Sequence, residues 1–172
     1  MALQFEWIEF FSLPLQEGTR QRVVALNFWT SDVPTWDSSH TDSDTGEEVF
    51  HRAPVFDGFT LGGIDRQRGF AQNRFNDRSA INYSAEYRHS PKNNPFTKIP
   101  LVKTLEIPWW QWIGFVEVGR VAGNWNFNDL HSSMKVSAGT GVRLNVFGLI
   151  IRMDGAVSEE GGAVQMFFNH TY

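Results

Sequence analysis

Charged side chains recur at alternate positions within apolar segments of the second half of the chain. They lie near the centres of these segments, in the same phase of the alternation: Glu86, Arg88, Glu117, Arg143, Arg152 and Asp154. Alternate side chains of a β-strand point to the same face, so a polar face opposite an apolar one is expected. Carboxylates and guanidinium groups on that face can form ion pairs. The alternation leaves open whether the polar face lines a barrel interior or meets water around a soluble barrel.

Catalytic and metal-binding chemistry has little support in the sequence. Neither an HExxH motif nor a nucleophile elbow accompanies the five histidines, which are His40, His51, His89, His131 and His170. The chain has no cysteine, which excludes a thiolate nucleophile and a thiolate metal site. The acidic loop from Asp37 to Glu48 lacks the full ligand pattern of a calcium loop. We therefore predict no enzyme activity, no metal and no cofactor.

Alternation predicts five strands in the second half, at about residues 81–88, 110–118, 134–145, 149–158 and 163–172. Segments 3–13 and 21–30 are rich in aromatic and β-branched residues and predict an opening hairpin.

The two long interruptions, 31–78 and 90–108, are expected to be loops. Residues 97–107 are a weak candidate for an eighth strand, because Pro100 and Pro108 disfavour pairing. The expected fold is all-β, a single domain over residues 1–172 with about seven or eight strands. An odd count of seven would leave the termini at opposite ends of a barrel.

Composition favours a barrel and argues against other classes. The sequence has no run of eighteen apolar residues, which excludes a helical membrane protein. A mean hydropathy of -0.32 is compatible with barrel strands, which expose only alternate side chains to lipid. The aromatic content of 15% fits the aromatic girdles of such barrels. The net charge of -4, with scattered lysines and arginines, argues against nucleic-acid binding. Residues 1–15 lack the features of a signal peptide, so an exported protein would be represented by its mature or truncated form.

The segment LGGIDRQRGFAQNRFNDRSAINYSAEYR, residues 61–88, resembles the lumen loop and following strand of the outer-membrane assembly-factor superfamily. This superfamily comprises BamA-like and TamA-like proteins and is also called the bacterial surface antigen family. Three later segments match in the family's order: FVEVGRV, SAGTGVRL and IIRMDGAVSEEG. The resemblance covers residues 62–172 and implies an antiparallel transmembrane β-barrel. This chain would be the C-terminal half of a sixteen-stranded barrel, without the family's POTRA domains.

The resemblance also implies a loop inserted into the barrel lumen. Arg68 would pair with the inward carboxylate of Glu117, Gly69 would let the loop turn closely and Phe70 would anchor it. We call these four residues the latch. Further residues would face the lumen as a network around it: Glu86, Arg88, Gly139, Gly141, Arg143, Arg152 and Asp154. The absence of side chains at the two glycines would leave room for the loop, or mark a bend in the strand.

Aromatic residues at strand ends suggest an interfacial belt. The candidates are Trp109, Trp110, Trp112 and Tyr172, with Trp125 as a further one. Their amphipathic rings suit the boundary between lipid and water, although a soluble protein would place them in a core or a ligand cleft. The positions at strand ends favour the belt.

Two functions are therefore carried forward. The first is a structural β-barrel of the bacterial outer membrane, in contact with lipid, that aids the insertion or translocation of other polypeptides. An incomplete barrel would need an eighth strand, a partner such as a second copy of the chain or client β-strands, or the missing half of the barrel at its open edges. The alternative is a soluble or lipid-facing β-barrel that binds a small apolar ligand, with the Trp-rich strand lining the cavity.

Overall fold

The computed structural model describes residues 1–36, 39–50 and 58–170. Strands dominate these ranges, with one short α-helix and two short 3₁₀ helices. The long strands are β1 (Leu3–Ser12), β2 (Thr19–Asp32), β7 (Ser79–Pro91), β8 (Trp110–Ala122), β9 (Lys135–Val146), β10 (Leu149–Ser158) and β11 (Gly161–His170). The short strands are β3 (Ser39–Thr41), β4 (Glu48–Phe50), β5 (Phe59–Leu61) and β6 (Phe75–Asp77). Helix α1 spans Phe127–His131, and the 3₁₀ helices span Pro95–Lys98 and Lys103–Leu105.

The seven long strands form one antiparallel sheet in the order β1-β2-β7-β8-β9-β10-β11. These are the seven strands that the sequence predicts; β10 has the predicted bounds, and the others differ from the prediction by a few residues. The sheet is not closed into a barrel. Thus the all-β antiparallel prediction is confirmed, and both edge strands, β1 and β11, are open within the described part of the chain.

The sheet has two different ends, which we name by their connections. The loop end carries the connections 33–78, 123–134 and 159–160, and the turn end carries 13–18, 92–109 and 147–148. Strand β1 begins at the loop end, because Leu3 pairs with Asp32, and β11 finishes at the turn end, because His170 pairs with Leu149. The two edge strands therefore run in the same direction, as an odd strand count requires.

Two expectations about the interruptions are wrong. Residues 31–78 are not one loop, because β2 continues to Asp32 and the hairpins β3–β4 and β5–β6 lie within the segment. Residues 97–107 form no eighth strand, because this stretch contains the end of the first 3₁₀ helix and the whole of the second. The first of these is capped by the Asn94 side chain, which accepts the Phe96 amide, and has Pro95 at its start. Proline cannot donate to a sheet but fits the first turn of a helix.

The two faces of the large sheet differ in polarity. The inward face, across which loop 62–74 lies, carries all six charged residues named above at the strand centres. Near the loop end the same face holds an apolar cluster with Trp29, Trp36 and Leu61 at its centre. The outward face is mainly apolar, and many of its apolar side chains are exposed: Phe5, Trp7, Trp112, Val116, Val136, Val157, Val164, Met166 and Phe168.

Candidate functional site

Loop 62–74 crosses the inward face because the β5–β6 hairpin holds both of its ends. The backbone of Gly62 has a φ of 109°, a conformation that side chains rarely adopt, and a Cβ there would lie 2.9 Å from the Arg74 amide nitrogen. The Gly62 amide donates to the Arg66 carbonyl at 3.1 Å, and its carbonyl accepts from the Asn73 amide at 3.2 Å. These bonds fold the loop back on itself. Its tip, Gln67 to Phe70, is thereby pressed against the wall formed by β7 to β10.

Arg68 is the centre of the site and is 4% exposed. Its backbone amide donates to Glu117 Oε2 at 2.6 Å, and its Nε donates to Glu117 Oε1 at 2.9 Å. Both oxygens of one carboxylate are therefore held by one residue of the loop. The guanidinium also lies over the Phe115 ring, with 3.4 Å between Cζ and the ring centroid. A planar cation can bind a carboxylate at its edge and an aromatic ring at its face simultaneously.

Two further carboxylates reach the same guanidinium. Nη1 of Arg68 donates to Glu86 Oε2 at 3.2 Å and to Asp154 Oδ2 at 3.0 Å. The three carboxylates come from β7, β8 and β10, so one loop side chain joins three strands, of which β7 and β10 are separated by two others. Burial alone lowers the pKa of Arg68, but the charges of Glu117, Glu86 and Asp154 outweigh it and raise the pKa above its ordinary value. Arg68 therefore remains a cation.

Three arginines of the wall share the carboxylates with Arg68. Arg143 Nη2 donates to both oxygens of Glu86 at 2.8 and 3.0 Å, and Arg88 Nε donates to Glu86 Oε1 at 2.6 Å. Arg152 Nη2 donates to Asp154 Oδ2 at 3.0 Å. Glu117 differs from the other two carboxylates, because Arg68 is its only cationic partner in the described chain. Its remaining contact is the Ser137 hydroxyl at 3.4 Å. Loss of Arg68 would therefore isolate Glu117 most of all.

Gly69 and Phe70 hold the loop beside Arg68. A Cβ on Gly69 would lie 3.0 Å from the Val157 carbonyl oxygen and 3.1 Å from Ser137 Cβ, so glycine permits the close approach to β9 and β10. The Gly69 carbonyl accepts the Ser158 hydroxyl at 2.8 Å. Phe70 is 1% exposed and meets Phe75 edge to face at 5.0 Å between ring centroids. All four latch residues are thus in one packed unit.

Gly139 and Gly141 lie on the inward face, but they make room for side chains and not for the loop itself. A Cβ on Gly139 would overlap the Phe115 ring, and one on Gly141 would overlap the Asp154 carboxylate. Phe115 and Asp154 both contact the Arg68 guanidinium. The two glycines therefore let these side chains lie flat against the wall, where the guanidinium can reach them.

Sequence reasoning missed several members of the site. Phe115 and Ser137 are in the inward phase of their strands, so the alternation that selected Glu117 could also have selected them. Gln67 is fully buried beside Arg68, and its Nε2 lies 3.5 Å from Asn82 Oδ1. Ser158 binds the loop carbonyl described above. Nothing in the local sequence marks Gln67, because only the folded loop buries it.

Of the residues predicted to form an aromatic belt, those that the structure describes lie at both ends of the sheet. Trp110 and Trp112 lie on the outward face of β8, where Trp112 packs against Tyr87 and stays 40% exposed. Trp109 is half-buried at the turn end beside Arg20. Trp125 is exposed at the loop end and donates to the Thr30 hydroxyl at 2.8 Å. Tyr172 lies outside the described residues.

The remaining candidates have local structural roles. Asp42 lies in the β3–β4 hairpin, where its carboxylate accepts the amides of Asp44 and Thr45. His131 lies 2.8 Å from the Tyr83 hydroxyl and stacks on Phe127, and His89 lies beside Tyr87. His51 and Asp37 lie outside the described residues, as do the side chains of His40 and His170. Across the residues that the structure does describe, no group of His, Asp and Glu could hold a metal ion.

A cleft of about 340 Å³ opens on the inward face between β1 and the ionic wall. It is lined by charged side chains, among them Glu6, Arg66, Glu86, Arg88 and Arg143. The apolar side chains of Ile8, Phe10 and Ala25 also line it, so the cleft combines charged and apolar surface. Comparison with protein-family models and with curated proteins found no match for this chain. None of the helices in the described ranges is long and apolar enough to cross a membrane.

Proposed function

We propose that this chain forms one half of a β-barrel in the bacterial outer membrane, as the resemblance to the assembly-factor superfamily implies. In this proposal the sheet is the C-terminal half of a barrel wall and loop 62–74 is fixed inside the lumen by the latch. The barrel is structural, has no catalytic activity and aids the insertion or translocation of other polypeptides.

The observation that carries the proposal is the inverted polarity of the sheet. Arg68, Glu117 and Asp154 are each at most 4% exposed on the inward face, whereas Phe5, Val136 and Val164 are 51–88% exposed on the outward face. A water-soluble protein buries apolar surface and seldom exposes a continuous apolar patch. A barrel in lipid has the opposite requirement, with an apolar exterior and a polar interior. The outward face of this sheet fits lipid.

The ion pairs of the latch, on the inward face of the sheet, support the same proposal. Isolated buried charges are costly, but here the loop supplies the cation that three wall carboxylates share. Because these carboxylates lie on three different strands, the loop fixes the curvature of the wall as well as its own position. A fixed loop inside a wall of this kind would restrict the lumen and stabilise the half-barrel.

The open edges determine what else the proposal requires. Unpaired backbone groups at an edge cannot remain in hydrocarbon without a partner strand. Both edges run in the same direction, so only an odd number of added strands closes a barrel with antiparallel pairs throughout. Client β-strands could add at either edge in this way. If a second copy had the same orientation, its β1 would instead form a parallel pair with β11 of the first copy.

The experiment is to refold the chain in detergent micelles and to measure its mass by light scattering, corrected for bound detergent. Heat-modifiable migration on a gel serves as the control for barrel formation. A detergent-bound dimer would support two copies that complete each other, and a detergent-bound monomer would support a self-closed barrel or edges shielded by detergent. A monomer that is soluble without detergent and binds none would refute the membrane proposal and favour the soluble ligand-binding barrel.

A further inference from the structure

The connection between β7 and β8, residues 92–109, concentrates the lysines of the chain. It holds three of the four, Lys92, Lys98 and Lys103, and all three side chains are exposed. None of them forms an ion pair with a described residue. The fourth, Lys135, is at the opposite end of the sheet and pairs with Glu159. We call residues 92–109 the connector.

The connector also exposes apolar side chains beside its lysines. Leu101 is 87% exposed, Ile99 is 44% exposed and Leu105 is 40% exposed. Three other connector residues, Phe96, Val102 and Ile107, pack against the outward face of the sheet. Their partners there include Leu144, Val146 and Ile151. The connector is therefore amphipathic and lies over the apolar exterior at the turn end, with a cationic and apolar surface exposed.

Hydrogen bonds fix the connector in this position. The Lys92 amide donates to the Gly18 carbonyl at 2.8 Å, and the Asn94 side chain donates to the Ile107 carbonyl at 2.7 Å. Trp110 Nε1 donates to the Asn93 carbonyl at 2.9 Å, and its ring meets Phe96 edge to face. A surface that is already ordered loses little conformational entropy when it binds a partner.

The charges of the two ends point to the kind of partner. The described loop-end connections carry nine carboxylates and four arginines, whereas the turn-end connections carry three lysines and two glutamates. Only the turn end is therefore cationic. Exposed apolar residues interspersed with lysines are typical of segments that lie in a membrane interface, and each lysine adds attraction to anionic lipid.

We propose that the connector binds the anionic phospholipids of the leaflet at the turn end. The three ammonium groups would contact phosphodiester headgroups, while Ile99, Leu101 and Leu105 would enter the boundary with the acyl chains. A cleft of about 440 Å³ within the connector, lined by Phe96, Lys103 and Glu106 among others, is large enough to accept part of a headgroup. This inference rests on the proposed function, because it needs the outward face to be in lipid.

The test measures the lipid preference of the protein in vesicles. The chain is reconstituted with brominated phosphatidylglycerol or brominated phosphatidylcholine, whose acyl bromines quench tryptophan fluorescence. Trp7 and Trp112 report on lipid contact, because both are exposed on the outward face. Insertion is verified first, by heat-modifiable migration in zwitterionic vesicles. The test variant is Lys98→Gln with Lys103→Gln, and the matched control is Lys135→Gln at the loop end.

The wild type is expected to bind phosphatidylglycerol in preference to phosphatidylcholine. This preference should fall about fivefold for each lysine removed at low ionic strength, and it should weaken in high salt. The Lys135→Gln control should keep the wild-type preference. Inserted protein that is quenched equally by both lipids would overturn the inference and leave the proposed function standing. Failure to insert into any vesicle would overturn both.

Discussion

The most informative perturbation is removal of the Arg68 side chain. Arg68→Ala deletes the only cationic partner that Glu117 has among the described residues, and Glu117 is 2% exposed. Glu86 keeps Arg88 and Arg143, and Asp154 keeps Arg152. The main consequence is therefore that the Glu117 carboxylate loses its ion pair. The contact between the Arg68 guanidinium and the Phe115 ring is lost as well.

The expected cost follows from this geometry. Removing one partner of a buried ion pair costs about 3–5 kcal/mol when the remaining charge has no water. Because the inward cleft brings water near the site, we expect about 3 kcal/mol of lost unfolding free energy for Arg68→Ala. Glu117→Gln should cost less, about 1–2 kcal/mol, since Arg68 retains Glu86 and Asp154. The loss of unfolding free energy in the double variant, Arg68→Ala with Glu117→Gln, should be smaller than the sum of the two single losses by at least about 1 kcal/mol. The reason is that the double variant leaves no buried carboxylate without a cation.

The assay is equilibrium unfolding by urea in phospholipid vesicles, followed by tryptophan fluorescence. The matched control is Arg74→Ala in the same loop, since Arg74 forms an exposed pair with Glu160 and should contribute less than about 1 kcal/mol. Limited trypsin digestion gives a second readout, because a released loop exposes Arg66, which both variants retain, to cleavage. Equal effects of Arg68→Ala and Arg74→Ala, or strict additivity with Glu117→Gln, would refute the latch.

Three further predictions address the loop, the outward face and the connector. Gly69→Ala should cost about 1–3 kcal/mol of unfolding free energy by forcing the loop off β9 and β10. Gly123→Ala should change the unfolding free energy little, because its Cβ would meet only Asp77 Oδ1, in ordinary contact at 3.9 Å; equal losses in a urea titration would contradict the close packing. Val116→Arg on the outward face should cost about 2–4 kcal/mol in lipid vesicles, and a neutral effect there would contradict lipid contact. Leu101→Ser should leave the urea midpoint unchanged in micelles but reduce quenching by brominated phosphatidylglycerol, and unchanged quenching would place the connector away from lipid.

Much of the large sheet could be predicted from local patterns. The phase of alternation around Glu117, Arg143 and Asp154 gave both the strands and the face that each side chain occupies, because the period of a strand is fixed at two residues. The short strands β3 to β6 were missed, since three-residue strands carry too few residues to show a period. The supposed strand at 97–107 failed because prolines favour the turns that are found there.

The candidate site was only partly accessible from sequence. Arg68, Gly69, Phe70 and Glu117 were selected by resemblance to a family, and alternation placed Glu117 on the polar face. Nothing local indicated that Asp154 and Glu86 would reach the same guanidinium, because β7 and β10 are separated by two strands of the sheet. Gln67 was missed for the same reason, as its burial depends on contacts across the fold.

By itself, the sequence determined the strand periodicity and the polarity of the two faces. These features depend on the identity of neighbouring residues and on backbone geometry, which are local. Only the tertiary structure decided which charges meet, that Gly139 and Gly141 accommodate Phe115 and Asp154, and that the connector covers the outward face. Those outcomes depend on distances between strands and on the path of loop 62–74, which are set by packing of the whole sheet.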